Sequence, residues 1–351
     1  SAGLASGDGG ETSYTENSKV KVSVGDNSTI TTTDETTIQA ENQTEKAQKA
    51  LSGGASLAGG SGIKNKTDIT HTTNTTVGDK VTIKASAVEP TEEGKTVYDK
   101  NAIIIGAHSD VTSTDDNSIK TGAAIKAAHI KNEHTVNADT TTNVGIGSTL
   151  DAGDTESIKG TNTKTFNTEG SGKKSYRGGS IAVTSSNDAK LYGKALVDVY
   201  GAAGYAGTEN NVTYTGNTST SFAGKAETAK GDIRIAAGRD AQGKASDLKV
   251  EAQSDILNAT AIPISSKKDP YAKIDSTANL TMSGDIQSDR DIYLQSNAGE
   301  TKANGNGEVK DWVNAVAEAF GSEGGTIGKS AVDTKANAHI SGTAETGIHR
   351  N

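Results

Sequence analysis

Two pairs of adjacent carboxylates, Asp115-Asp116 and Glu92-Glu93, and six histidines are the side chains best suited to proton transfer or metal binding. Acid–base attack on a glycosidic bond needs two carboxyls facing each other across a cleft. Neighbouring acids in one polar, Thr-rich stretch do not provide that, so both pairs read as solvated loop residues. His71, His108, His129, His134, His339 and His349 lack metal-ligand spacing such as two His four apart on one helix face. The closest two, His129 and His134, fall on opposite faces of a strand. There is no cysteine, hence no disulfide, thiolate metal site or cysteine nucleophile. Gly-Asp phrases suggest calcium repeats, yet Gly9-Gly10 and Gly178-Gly179 do not continue into the calcium-binding nonapeptide. Asp at a turn needs no ion, so acidic corners offer weak Ca²⁺ binding at most. Gly145-Ile146-Gly147 and Gly170-Ser171-Gly172-Lys173 are too short to cradle a phosphate. Sequons such as Asn27-Ser28-Thr29 and Asn211-Val212-Thr213 follow from the abundance of Asn and Thr. No catalytic residue, metal site or cofactor is expected.

The formal net charge of −9 argues against nucleic acid, which selects basic faces. No stretch approaches the roughly 20 apolar residues of a membrane-spanning helix, so no membrane insertion by this segment is expected. Ser1-Ala2-Gly3 starts in strand-like material with no signal peptide, and the chain is expected to be a fragment of a longer polypeptide. Hydrophobic residues are 32% and aromatics 4%, too few for a thick globular core. A thin solenoid needs only a few Val, Ile, Leu or Ala inward per coil. Three Pro residues and ordered alternation of Val and Ile argue against disorder.

The elements repeat one phrase: a Gly, Asp or Asn turn, a few residues of apolar–polar alternation, then Ala or Ser. It occurs at residues 34–40, 78–85, 231–237, 247–252 and 290–296. Period two puts the apolar side chains on one strand face, and many such strands, none able to bury its own face, point to stacked coils. Val22 to Ile38 and Ile235 to Val250 suggest coils of roughly 15–25 residues, about 17 of them in a rod ~80 Å long. Val81, Ile83, Ile233, Ile235, Leu248, Val250, Ile292 and Leu294 are expected inward. Thr82, Lys84, Arg234, Lys249, Tyr293 and Gln295 are expected outward, with Thr and Asn ladders on the outside. The Gly-, Ala- and Ser-rich interval Ser52 to Gly62 fits tight corners or close backbone approach. Further strands are read at 144–146, 180–183, 195–200, 211–214 and 279–282, with turn signals at Gly153-Asp154, Asn210-Asn211 and Gly284-Asp285. Residues 89–109 read as a protruding loop and a returning strand at Ala102-Ile103-Ile104-Ile105.

One segment departs from the strand rhythm. Val309, Trp312, Val313, Val316 and Phe320 recur at helical spacing, with Asn306 or Gly307 to cap the start and Gly321 the end. A helical insertion at 307–321 is expected, packed on the rod or presented as a partner-docking knob. A weaker helix is read at Gln43 to Leu51.

The wording of residues 283–300, from Ser283-Gly284-Asp285-Ile286 to Asn297-Ala298-Gly299-Glu300, and of Asp311-Trp312-Val313-Asn314-Ala315-Val316-Ala317-Glu318-Ala319-Phe320 resembles the repeats of large bacterial filamentous adhesins. More narrowly it is similar to leukotoxin-type filamentous adhesins of anaerobic bacteria with a Gram-negative-type envelope. The likeness is strongest from Ala223 onward and, before it, one of repeat style. It implies an all-β, right-handed parallel β-helix passenger exported by a type V-like route, and it carries over no catalytic residue. Residues 1–351 are therefore expected to form one β-helical rod. Its expected role is that of a non-catalytic shaft segment of a secreted or cell-surface adhesin, serving attachment or extracellular fibre formation. A surface receptor or glycan, and end-to-end self-association into filaments, are the expected partners. A β-helical polysaccharide-degrading enzyme is the alternative, although only Arg177, Arg234, Arg239, Arg290 and Arg350 carry guanidinium groups.

Overall fold

The computed structural model describes residues 2–32, 35–85, 101–152, 179–228, 231–264, 266–288, 291–296, 300–303, 314–321, 329–340 and 343–346. These residues form an all-β stack of six layers, and every pairing between named strands is parallel. The first layer holds β1 (Ala2–Val24) and β2 (Thr29–Thr31). The next three hold β3 (Thr36–Val77) and β4 (Thr82–Lys84), β5 (Asn101–Val144) and β6 (Thr149–Asp151), then β7 (Ser180–Phe222) and β8 (Lys225–Thr228). The fifth holds β9 (Ile233–Ala237), β10 (Asp247–Pro263), β11 (Lys267–Met282) and β12 (Asp285–Ser288). The last holds β13 (Ile292–Ser296), β14 (Glu300–Ala303), β15 (Asn314–Gly321), β16 (Lys329–Ile340) and β17 (Thr343–Thr346), with β14 paired along the outer edge of β15. This is the parallel β-solenoid that the alternation predicted.

The coil is far longer than the phrase spacing suggested. Val24 lies opposite Val77, Val77 opposite Val144, Val144 opposite Phe222, Phe222 opposite Met282 and Met282 opposite Ile340. Stacked side chains such as Thr12 and Asn65, Asn65 and Asn132, and Asn132 and Asn210 are separated in sequence by 53, 67 and 78. The short phrase intervals are instead fractions of a coil: Val22, Ile30 and Ile38 follow the chain around the base from the first layer into the second and pack in one cluster.

Strands β3, β5 and β7 each fold back so that their two halves face each other through side chains. In β3, the Ala40 amide donates to Thr75 Oγ1 at 3.1 Å and Gln48 Nε2 donates to Asn65 Oδ1 at 2.9 Å. Ile38 and Val77 share one apolar cluster, while Ala50 and Ile63 share another. The two arms meet at a tip in the Ser52–Gly62 interval, where small residues permit the bend. At Gly53 a Cβ would lie 2.3 Å from the Lys120 carbonyl oxygen, so close backbone approach excludes a side chain there.

Short strands β2, β4, β6, β8, β12 and β17 form a second sheet that closes the base. The corner entering it is stacked turn on turn: Asn27 (φ 58°), Lys80 (φ 55°) and Gly147 (φ 71°) occupy equivalent left-handed positions. Asp26 Oδ1 accepts from the Asp79 amide, and Asp79 Oδ1 accepts from the Ile146 amide, each at 2.9 Å. The connection leaving it varies widely in length, covering positions 32–35 between β2 and β3, 85–100 between β4 and β5, and 152–179 between β6 and β7. The expected protruding loop from Glu89 falls outside the described residues, and the expected strand at Ala102-Ile103-Ile104-Ile105 opens β5.

The core is apolar at the base, in mid-arm and near the tip. Val81, Ile83, Ile233, Ile235, Leu248 and Val250 are fully buried, and Ile292 and Leu294 pack against the base cluster. Between these clusters the interior is polar, which corrects the expectation of outside ladders. Thr75, Thr142 and Thr220 stack at one register position, fully buried. They donate to carbonyl oxygens of Gly106, Thr184 and Ala236 at 2.5–2.7 Å. An asparagine ladder runs through the same interior: Asn65 Nδ2 donates to Asn132 Oδ1 at 2.7 Å, and Asn132 Nδ2 to Asn210 Oδ1 at 2.8 Å. Asn210 Nδ2 then donates to the Gly193 and Gln253 carbonyls at 2.8 Å. In a flat, two-walled coil the inward face is long, and equal side chains at one layer spacing satisfy one another. The expected turn at Asn210-Asn211 is consequently a strand interior.

No helix occurs among the described residues. The expected helix at Gln43 to Leu51 lies within β3, and Asn314–Gly321 is a strand on the edge of β10. Val316 and Phe320 stand opposite Lys249 and Gln253 there, while Val309, Trp312 and Val313 lie outside the described residues. Helical and period-two spacing coincide at positions four apart, and the hydrogen-bonding edge of β10 selects the strand.

Candidate functional site

The side chains singled out by their chemistry are dispersed by the coil. Asp115 and Asp116 are not loop residues. They alternate along β5, so Asp115 is fully buried while Asp116 faces outward, 3.8 Å from Lys194 Nζ. His134 is fully buried and His129 is half-buried at the outer surface, on opposite faces as predicted. Glu92, Glu93 and His349 lie outside the described residues. Among the described residues no group of three His, Asp or Glu is arranged to hold a metal ion.

The outer surface has two adjoining hollows of about 290 and 280 Å³, one on either side of the loop from Gly238 to Ser246. That loop is longer than its equivalent in the layer before, since Ile181 pairs with Ile233 but Ala189 pairs with Leu248. Left-handed glycines Gly238 and Gly243 turn it. Asp240 Oδ1 fixes it by accepting from the Gln242 and Lys244 amides at 3.0 and 2.8 Å. Asn101 Nδ2 ties it to β5 through the Ala241 carbonyl at 3.3 Å.

In the first hollow Arg234 from β9 stacks 4.4 Å from the Tyr293 ring of β13 and donates to Gln295 Oε1 at 2.6 Å. Asp232, Asn101 and Gln242 complete a polar wall around the ring. Burial, with Asp291 and Asp232 nearby, pushes the Tyr293 phenol upward. In the second hollow Glu41, His108 and Ser186 stand side by side across three layers at one register position. His108 Nδ1 is 2.9 Å from Ser186 Oγ. Asp188 lies behind them; burial raises its carboxyl, while the Asp247 amide donates to its Oδ1 at 2.7 Å. An aromatic face, a guanidinium and flanking amides suit hydrogen bonding to a polyhydroxylated ligand. Sequence reading missed this site because its members, from Asn101 to Tyr293, are remote along the chain and meet only through the coil length.

No family model, curated protein or solved structure matches the chain.

Proposed function

We propose that the chain is a structural shaft segment of a secreted or cell-surface bacterial filamentous adhesin, non-catalytic, serving attachment or extracellular fibre formation. The observation that supports it most is the unbroken parallel ladder through all six layers. Such a scaffold transmits load along its stacking direction and offers side hollows rather than a central cavity. The hollows beside the Gly238–Ser246 loop are the places where a surface glycan or receptor would bind. Antibodies against this segment should label the outside of intact producing cells, and deleting the segment should reduce attachment. Labelling confined to permeabilised cells would overturn the reading. The second reading, a polysaccharide-degrading enzyme, draws on the raised carboxyl of Asp188 beside Glu41 and Asp240. Turnover of an acidic or neutral polysaccharide that is lost in Asp188→Asn would favour it over the shaft.

A further inference from the structure

Between the two facing arms, a lysine, a carboxylate, a threonine and a histidine meet in the buried interior. Lys46 on β3 and Asp115 on β5 belong to successive coils, and their side chains are 6% and 0% exposed. Lys46 Nζ contacts Asp115 Oδ1 directly. Thr67 Oγ1 lies 2.5 Å from Nζ and donates to the same Oδ1 at 3.2 Å. His134 Nδ1 stands 3.2 Å from the other oxygen, Oδ2. The Tyr14 ring covers Nζ at 5.3 Å.

We infer that Lys46 and Asp115 are the partners of an intramolecular isopeptide cross-link that joins the second coil to the third. A buried ion pair gains little over apolar packing after desolvation, whereas an amide removes both charges from the interior. Nζ adds to Asp115 Cγ, forming the N–C bond. Cγ–Oδ2 then breaks, and Oδ2 departs as water with the carboxyl proton and one proton from Nζ. Oδ1 remains as the amide oxygen. Thr67 donates to Oδ1, the atom on which negative charge develops during addition. His134, against Oδ2, is the group that delivers the second proton to the departing oxygen. The protonation states suit this: burial pulls the Lys46 ammonium downward, toward the amine that attacks, and holds His134 down at about 4 as a neutral base. No oxidant, metal or co-reactant is required. The inference stands on this geometry independently of the adhesin reading.

Intact mass spectrometry of the refolded, then denatured, chain tests it. The expected mass is that of the sequence less one water, with a branched proteolytic peptide joining Lys46 to Asp115. A mass equal to that of the sequence, with the two residues in separate linear peptides, overturns it. Asp115→Asn should lose ammonia instead of water, and Lys46→Arg should lose neither. His134→Gln should slow the mass change after refolding; an unchanged rate removes His134 from the chemistry, and the wild-type mass still decides the bond.

Discussion

Ile235 and Arg234 are neighbours in β9 with opposite surroundings. Ile235 is fully buried in the base cluster, so Ile235→Asp should cost several kcal/mol by placing an unpaired charge in an apolar site. Arg234 points outward, as alternation predicts, yet it stacks on Tyr293 and bonds Gln295. Arg234→Ala should therefore cost about 1 kcal/mol, above the ±0.5 typical of a bare surface site. Thermal unfolding of the two variants checks both values. The opposite placement of these two neighbours was legible because it depends only on the pleat; the contacts of Arg234 were not, because they come from the next coil. His134 carries a pH prediction. Its value falls from 6.5 to about 4 on folding, chiefly through burial. The unfolded chain therefore binds a proton that the folded chain refuses between these values. Stability should be whole above pH 6.5 and decline as pH falls toward 4, with His71 shifted in the same direction by burial. Urea midpoints across this range should show the slope, and His134→Gln should flatten it.

At the scale of the element, the long strands owe their shape to their tips. Gly201, at the tip of β7, has φ of 148°, and a Cβ there would meet the Ala123 carbonyl oxygen at 1.6 Å. Gly201→Ala should lower the melting temperature by several degrees, through strain of about 1–3 kcal/mol. Gly7→Ala, with nothing within 4 Å, should leave it almost unchanged; a calorimeter compares them. The Gly- and Ser-rich interval Ser52 to Gly62 was recognisable as a place of close approach, since small residues have few other structural uses. That it folds a 42-residue strand back on itself was not recognisable. Facing partners such as Gln48 and Asn65 are polar and leave no hydrophobic period. The segment Asn314–Gly321 illustrates the opposite error, where a helical apolar pattern was outweighed by the hydrogen-bonding edge of β10.

At the scale of the whole molecule, long coils make a slab where short coils would have made a needle. Six layers at ~4.8 Å span about 29 Å along the stacking axis, while an arm of about 20 residues reaches ~65 Å. Small-angle scattering should give a pair-distance distribution of a flattened body with a longest dimension near the arm length. A thin cylinder one short coil wide would contradict the register. The solenoid class was evident from composition and alternation, but its dimensions depended on coil length, which loosely repeated phrases do not encode. The two base corners have a further consequence. The stacked-turn corner repeats after β1, β3 and β5, whereas the connection leading into the first arm varies severalfold in length, from positions 152–179 between β6 and β7 to 229–232 between β8 and β9, without disturbing the pairing. Coil number and loop length are thus structurally separable. Duplication can add a coil and insertion can diversify one corner, and neither event shifts the reading of any neighbouring layer.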